Sequence, residues 1–179
     1  AADLAERGYS VALLDRDGRI KPCGGAVPPR MIKDYNIPDS QIVARIQTAR
    51  MVSPTQRHVD IPIENGYVGM VDRAHFDEFL RVRAANSGAD RVTGTYTKIT
   101  RDAAGTHVHY RHKASGDARA LTCRMVIGAD GARSNVGKTE VPGGDKIPYV
   151  IAYHEIIEAP TETTEHYNPK RCDVIYDGK

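Results

Sequence analysis

Tryptophan is absent from the 179-residue chain, phenylalanine occurs twice, and tyrosine, at nine, is the common aromatic. Cysteine occurs three times, at Cys23, Cys123 and Cys172. No two of them make a CxxC pair, which argues against a zinc site and against a secreted disulfide framework. Free thiols point to a reducing compartment. No run approaches the roughly 18 consecutive apolar residues of a membrane-spanning helix. An excess of one charge is lacking too. Lys and Arg total 25 against 23 Asp and Glu, a net +2, without the basic stripe of a nucleic-acid binder. Internal repeats and low-complexity tracts are missing. What remains, 40% hydrophobic and 27% charged, is too apolar for a disordered tail and long enough to bury a sizeable core.

The two ends are informative. Ala1 to Gly8 reads as the last turns of a helix, with Leu4 and Ala5 inward and Gly8 as the left-handed residue that stops it. Tyr9 to Asp15 follows at once and reads as a buried parallel strand. A helix that ends at glycine and runs into such a strand is half of a βαβ unit. The chain shows neither an initiator Met nor a signal peptide. The other end stops just after a strand-like run, Cys172 to Tyr176. These features predict an internal piece of a longer protein, against the alternative of a small domain with a ragged start.

Between the ends, Arg16 to Pro29 is a Gly/Pro-rich loop. Pro28 or Pro29 opens a short helix through Met31, Ile32 and Tyr35, which Asn36-Ile37-Pro38 breaks. Ile42, Val43 and Ile46 predict a second short helix. Ala49 to Val52, His58 to Ile63 and Tyr67 to Val71 read as strands. Arg73 to Asn86 is the clearest helix: Phe76, Phe79, Leu80 and Val82 or Arg83 form its apolar face, and Gly88 ends it. Residues 90–126 predict antiparallel strands, with hairpin turns at Ala103-Ala104-Gly105 and Ser115-Gly116-Asp117. Met125 to Gly131 predicts a short buried strand running into a glycine turn, and Tyr149 to Glu158 a further strand in a second sheet.

Four groups of residues carry chemistry. Asp15 ends the first strand, where a dinucleotide-binding βαβ unit places the acid that accepts hydrogen bonds from ribose. It reads equally as an ordinary strand-ending turn residue. Gly128-Ala129-Asp130-Gly131-Ala132-Arg133-Ser134 follows an apolar run. Gly131 allows close backbone approach to a phosphate, Asp130 can orient the turn, and Arg133 or Ser134 begins a short helix; a generic strand–turn–helix corner has the same pattern. Lys21-Pro22-Cys23-Gly24-Gly25-Ala26 imposes tight backbone geometry beside a thiol, and Cys23 is either catalytic or simply packed. His107 and His109 share a strand face without a third ligand at metal spacing, so they read as surface strand histidines.

Taken in order, Asp15, the Lys21-Pro22-Cys23-Gly24-Gly25-Ala26-Val27-Pro28-Pro29 loop, Val71-Asp72-Arg73 leading Phe76-Asp77-Glu78-Phe79-Leu80, and the Gly128–Ser134 motif resemble the geranylgeranyl reductase family of FAD-dependent oxidoreductases. The segment Tyr167 to Asp177 is similar to the bacterial branch that finishes bacteriochlorophyll tails. The resemblance implies an α/β fold: a partial Rossmann-like FAD/NAD(P)-binding domain over residues 1–140, with an antiparallel β-ribbon near 90–124. Residues 141–179 would begin a substrate-binding β-sheet domain. It also implies FAD and NADPH as cofactors. The partner would be an isoprenoid-tailed pigment or geranylgeranyl diphosphate whose double bonds are saturated to the phytyl form, with no nucleic acid. A cytoplasmic protein, peripheral at a photosynthetic membrane, fits so apolar a substrate. Residue by residue, the resemblance puts Asp15 and Arg16 at the FAD ribose and Arg73 against FAD. It puts Asp130 and Gly131 near the pyrophosphate, and Cys23, Gly24 and Gly25 along the flavin. Cys23 is the candidate catalytic residue, with several tyrosines as alternative proton donors, and no metal site is implied. The family's N-terminal glycine loop and later Gly-Asp motif are not in the chain. An FAD-dependent aromatic monooxygenase and a non-catalytic nucleotide-binding module are the competing readings.

Overall fold

Gly8 (φ +82°) and Gly88 (φ +97°) do the same job at two places in the chain. Each ends a helix in the left-handed conformation and sends the chain straight into a strand. In the computed structural model, which describes residues 1–16, 23–164 and 166–178, helix α1 (Ala2–Glu6) precedes strand β1 (Ala12–Asp15). Helix α3 (Arg73–Asn86) precedes β7 (Asp90–Asp102). The amides of Gly8 and Tyr9 return to the Ala5 and Leu4 carbonyls, and those of Gly88 and Ala89 to Ala85 and Ala84. These paired bonds satisfy the last helical carbonyls, which is why a glycine is needed at each stop. The two strands then lie parallel, Ala12 beside Asp90 through Asp15 beside Thr93. Across the two helix ends, the Ser87 hydroxyl donates to Glu6 at 2.9 Å.

The residues form two compact units interleaved along the chain: 1–19 with 80–152, and 20–79 with 153–179. The sequence suggests a boundary near residue 140; in the structure the C-terminal stretch groups with 20–79.

In the first unit, β7, β8 (Gly105–His112) and β9 (Ala118–Cys123) form the expected antiparallel ribbon beside β1, in the order β1-β7-β8-β9. Asp102 shapes the first hairpin by accepting from the Ala104 amide at 2.8 Å. Helix α4 (Asn135–Glu140) completes the unit. Met125 to Gly131 is not a strand: no described strand lies alongside it, and Met125 and Ile127 are exposed. Tyr149 to Glu158 likewise makes no ladder, with Val150 and Ile151 more than 90% exposed. Apolar alternation provides a strand's faces, but a strand exists only where a neighbour takes its backbone groups.

In the second unit, Pro29 occupies the first turn of α2 (Pro29–Asp34), as its fixed φ favours. A three-stranded antiparallel sheet has the order β2 (Ala26–Val27), β6 (Val68–Met70), β3 (Ala44–Ile46). The expected helix at Ile42–Ile46 is instead a 3-10 turn, Asp39–Gln41, followed by β3. Ile42 and Ile46 are buried while Val43 is exposed. A four-residue spacing fits period 2 as well as period 3.6, and pairing with β6 decides the outcome. Val27, Ile37, Ile42, Val71 and Phe76 form the core, flanked by Ile32, Tyr67 and Phe79. A second sheet joins β10 (Arg171–Ile175) in parallel to β4 (Thr48–Val52), which pairs antiparallel with β5 (His58–Pro62). A bidentate Arg50–Asp60 pair crosses the β4/β5 register.

Candidate functional site

The inward stripe of α3 runs Arg73, Phe76, Asp77, Arg81, Ala84. That spacing is helical, but three of the five residues are charged. Leu80 and Val82, expected inward, are 40% and 42% exposed. A search for an apolar face therefore finds the helix and misses half of what it carries inward. The first half of α3 belongs to the second unit and its last turns to the first.

In the first unit, Asp15 sits at the carboxyl end of β1, the edge of an α/β sheet where ligands bind. Arg81 reaches it, Nη2 lying 3.3 Å from Oδ1, with the Arg81 side chain 12% exposed. Arg16 follows the strand and is exposed. The Gly128–Ser134 motif closes on itself. The Ser134 hydroxyl donates to Asp130 Oδ1, and the amides of Asn135 and Val136 donate to Oδ2 at 2.7 and 3.2 Å. Ser134 Oγ in turn accepts from the Gly137 amide at 2.7 Å, making Ser134 the cap of α4. Burial pushes the Asp130 carboxyl up. The Ser134 hydroxyl and the Val136 and Asn135 amides outweigh that, holding it below the usual carboxylate range. Asp130 is thus the residue that orients the turn. Gly131, at φ +89°, has open space where a Cβ would point, so its backbone is accessible. Arg133 lies over the Tyr149 ring at 5.8 Å.

In the second unit, the glycine loop and the start of α3 come together. Gly25 (φ +75°) accepts a hydrogen bond from the Val71 amide at 2.9 Å. A Cβ on Gly25 would fall 2.2 Å from the Val71 carbonyl oxygen. The close approach that requires this glycine is thus to the chain's own backbone. Gly24 has nothing within 4 Å of a Cβ, and the Cys23 thiol is exposed and unpaired by any disulfide. Lys21 and Pro22 lie outside the described residues. Asp72 caps α3, accepting from the Ala74 amide and from His75 Nδ1, both at 2.9 Å. The Ala74 amide first, then the His75 ring, holds its carboxyl below the ordinary value. Arg73 donates through Nη2 to Asp77 Oδ1 at 2.6 Å. Arg73 Nε and Asp77 Oδ2 are buried without a protein partner.

Asp77 was legible as a partner for Arg73, one turn away at i, i+4; Arg81, a further four residues on along the same helix face, was not singled out in the sequence. His107 and His109 are engaged across the ribbon, His107 with Asp102 and Thr122 and His109 with Thr100. Among the described residues no three His, Cys, Asp or Glu side chains are grouped to hold a metal.

Comparison with known proteins agrees with this α/β architecture. A profile of the family described as FAD binding domain matches residues 32–148. The chain belongs to that family, whose cofactor is FAD. Over its whole length it is 60% identical to the geranylgeranyl diphosphate reductase of Rhodobacter capsulatus, spanning 45% of that protein. It is 37% identical to the chloroplastic geranylgeranyl diphosphate reductase of Arabidopsis thaliana, over 93% of this chain and 38% of that one. The chain thus spans less than half the length of these relatives. Among solved structures, a geranylgeranyl bacteriochlorophyll reductase-like protein from Thermoplasma acidophilum matches with a TM-score of 0.77. That match covers 98% of this chain and 46% of that chain at 19% identity, and shows the shared fold.

The residues present fit a flavin dinucleotide. The first unit carries an accessible, positive-φ glycine turn at Gly131 and a strand-end carboxylate at Asp15.

Proposed function

We propose that the chain is part of an FAD-dependent reductase that uses NADPH to saturate the double bonds of a geranylgeranyl group. The substrate is geranylgeranyl diphosphate or a geranylgeranylated bacteriochlorophyll precursor, and the product carries a phytyl tail. The observation that carries this reading is 60% identity over the entire chain to a geranylgeranyl diphosphate reductase. That match spans the segment holding the Cys23-Gly24-Gly25 loop, for which an aromatic monooxygenase has no evident need.

Flavin, when bound, supplies the hydride for an alkene that is otherwise unreactive. The chain's own residues hold and orient. Asp15 is placed to accept from a ribose, with Arg81 fixing its carboxylate and Arg16 beside it. Gly131 presents backbone to the pyrophosphate, and Asp130 holds that turn in shape. Arg73 contacts the cofactor from the first turn of α3. Gly25, tied to Val71, sets the course of the Cys23-Gly24 backbone, which is placed to lie along the flavin. Cys23 is the candidate to deliver the proton that must accompany hydride.

The apolar substrate favours a cytoplasmic protein working peripherally at a photosynthetic membrane. Among the described residues no helix is long and apolar enough to cross one. The test is mass analysis of the isoprenoid product formed from geranylgeranyl diphosphate with NADPH, with and without oxygen. Hydrogenated product in both conditions is expected; an oxygenated product formed only in air overturns the reading.

A further inference from the structure

The near-neutral charge of the whole chain is not evenly spread. Residues 91–124, which hold the ribbon of β7, β8 and β9, contain seven Lys and Arg against two Asp and no Glu. The strand register sorts these residues by face, because residues paired directly across an antiparallel ladder point to the same side. One face carries Ile99, Val108 and Leu121 in one row and Tyr96, Tyr110 and Arg119 in another. That face is turned towards α4: the Tyr96 hydroxyl lies 3.3 Å from that of Thr139, and Arg101 pairs with Glu140. Tyr110 is buried there.

The opposite face carries Lys98 beside His109, and Arg111 beside Thr95 and Ala118. Lys113 follows at the strand end, its amide bonded to the Thr93 carbonyl. Lys98, Thr100, Arg111, Ala118, Ala120 and Thr122 are all exposed. Of the strand residues on this face, Asp102 is the one acid, and His107 Nε2 engages its carboxylate at 2.9 Å.

What this face lacks decides what can lie on it. It has no Phe, Tyr or large aliphatic side chain to fill a partner's pocket, the kind of anchor on which protein interfaces rest. The same absence leaves no ring platform on which nucleic-acid bases stack. Long cations set among Thr and Ala attract negative charge without prescribing where it must sit. A bilayer with anionic headgroups matches that chemistry, since its charges form a plane and attract clustered Lys and Arg.

We infer that the outer face of the β7–β8–β9 ribbon, through Lys98, Arg111 and Lys113, docks on an anionic lipid surface. The inference rests on the reading of the protein as a reductase of an isoprenoid-tailed substrate, and it names the surface by which such a protein meets the membrane that holds the tail.

The experiment is sedimentation of the native protein with vesicles of phosphatidylcholine alone and of phosphatidylcholine mixed with phosphatidylglycerol. The protein should bind the mixed vesicles and not the neutral ones, and added salt should weaken binding. Each basic residue at such a surface is worth about fivefold in affinity. Arg111→Gln should cost about that factor, and Lys98→Gln, Arg111→Gln and Lys113→Gln together roughly a hundredfold. Arg111 also ties its hairpin by donating to the Gly116 carbonyl at 3.0 Å, so Lys98→Gln repeats the single-charge test at a second position. Arg119→Gln removes the same charge from the α4 face and should change binding by less than about twofold. Circular dichroism establishes that each variant is folded.

Equal binding to neutral and mixed vesicles overturns the inference, as does binding to neither. Equal losses for Arg111→Gln and Arg119→Gln overturn it too, since they trace binding to net charge and not to one face. If random-sequence double-stranded DNA or polyglutamate holds the protein more tightly than mixed vesicles at the same salt, the lipid assignment is wrong. Reduction of a detergent-dispersed geranylgeranyl substrate is measured on the same proteins and should be unchanged in every variant. If reduction is intact while vesicle binding fails, this inference alone falls. If the wild type reduces no substrate, the reductase reading fails and this inference falls with it.

Discussion

Asp15 and Arg81, 66 positions apart in sequence, meet at the carboxyl end of β1 with Nη2 and Oδ1 separated by 3.3 Å. The strand supplies the carboxylate and the helix supplies the cation that fixes it. Neither is free to rotate as an isolated surface group would, because the Arg81 side chain is 12% exposed.

Replacing Arg81 by Met keeps much of the side-chain volume and leaves Asp15 without that cation. The expected loss of stability is about 1–2 kcal/mol, between the values for exposed and for buried pairs. Urea unfolding measures it. A double cycle with Asp15→Asn should show the two losses to be non-additive; simple additivity contradicts a working pair.

Three glycines separate backbone demand from ligand demand. Gly25→Ala should destabilise the protein by about 2–3 kcal/mol, since a Cβ meets the Val71 carbonyl at 2.2 Å. Gly131→Ala meets open space and has only its positive φ against it, about 1 kcal/mol. Gly24→Val has neither obstacle and should stay within roughly 0.5 kcal/mol. Thermal melts rank the three. If Gly24→Val folds normally yet abolishes reduction, the open side of Gly24 faces the reacting ligands.

Asp130 makes the turn at Gly131 sensitive to acid. Its carboxyl is held below its ordinary value in the folded protein, so its stabilisation is present above the unfolded pKa. That stabilisation is lost as pH falls through the folded one. Asp130→Ala should cost about 1 kcal/mol at neutral pH, as for a lost helix cap. The difference from wild type should shrink in acid and disappear below the folded pKa. A difference that persists there assigns the effect to packing.

Much of this was legible in the sequence where a single residue dictates the backbone. Gly8 and Gly88 marked both helix stops, Pro29 marked the start of α2, and the bounds of α3 and the three-stranded ribbon followed from period and turn chemistry. The signals that failed depend on a partner elsewhere in the chain. Ile42 and Ile46 fit helix and strand equally until β6 is placed beside them. Met125 to Gly131 and Tyr149 to Glu158 have strand-like residues and no neighbour to pair with. On α3 the inward face was sought among Phe76, Phe79, Leu80 and Val82 or Arg83; Phe76 and Phe79 do pack into the core, while Leu80 and Val82 are exposed and the charged Asp77 and Arg81 lie inward instead. Asp130 was legible as the residue that shapes its turn, and the closeness of the Gly25 loop to Val71 was not, because β2 and β6 lie far apart in sequence.

Cys23 is exposed, and its role separates by half-reaction. Cys23→Ser keeps the size and loses most of the acidity. If the thiol delivers the proton, alkene reduction should slow roughly 10²–10⁴-fold while flavin reduction by NADPH is unchanged. If both half-reactions stay within a few-fold of wild type in stopped-flow experiments, the thiol is a packing residue.

Stoichiometry without oxygen tests flavin-dependent alkene reduction most directly. The native protein is given FAD, NADPH and a geranylgeranyl substrate under anaerobic conditions, and NADPH oxidised is counted against double bonds saturated. One NADPH should be consumed for each double bond reduced. NADPH oxidation that requires oxygen and leaves every double bond intact would contradict it.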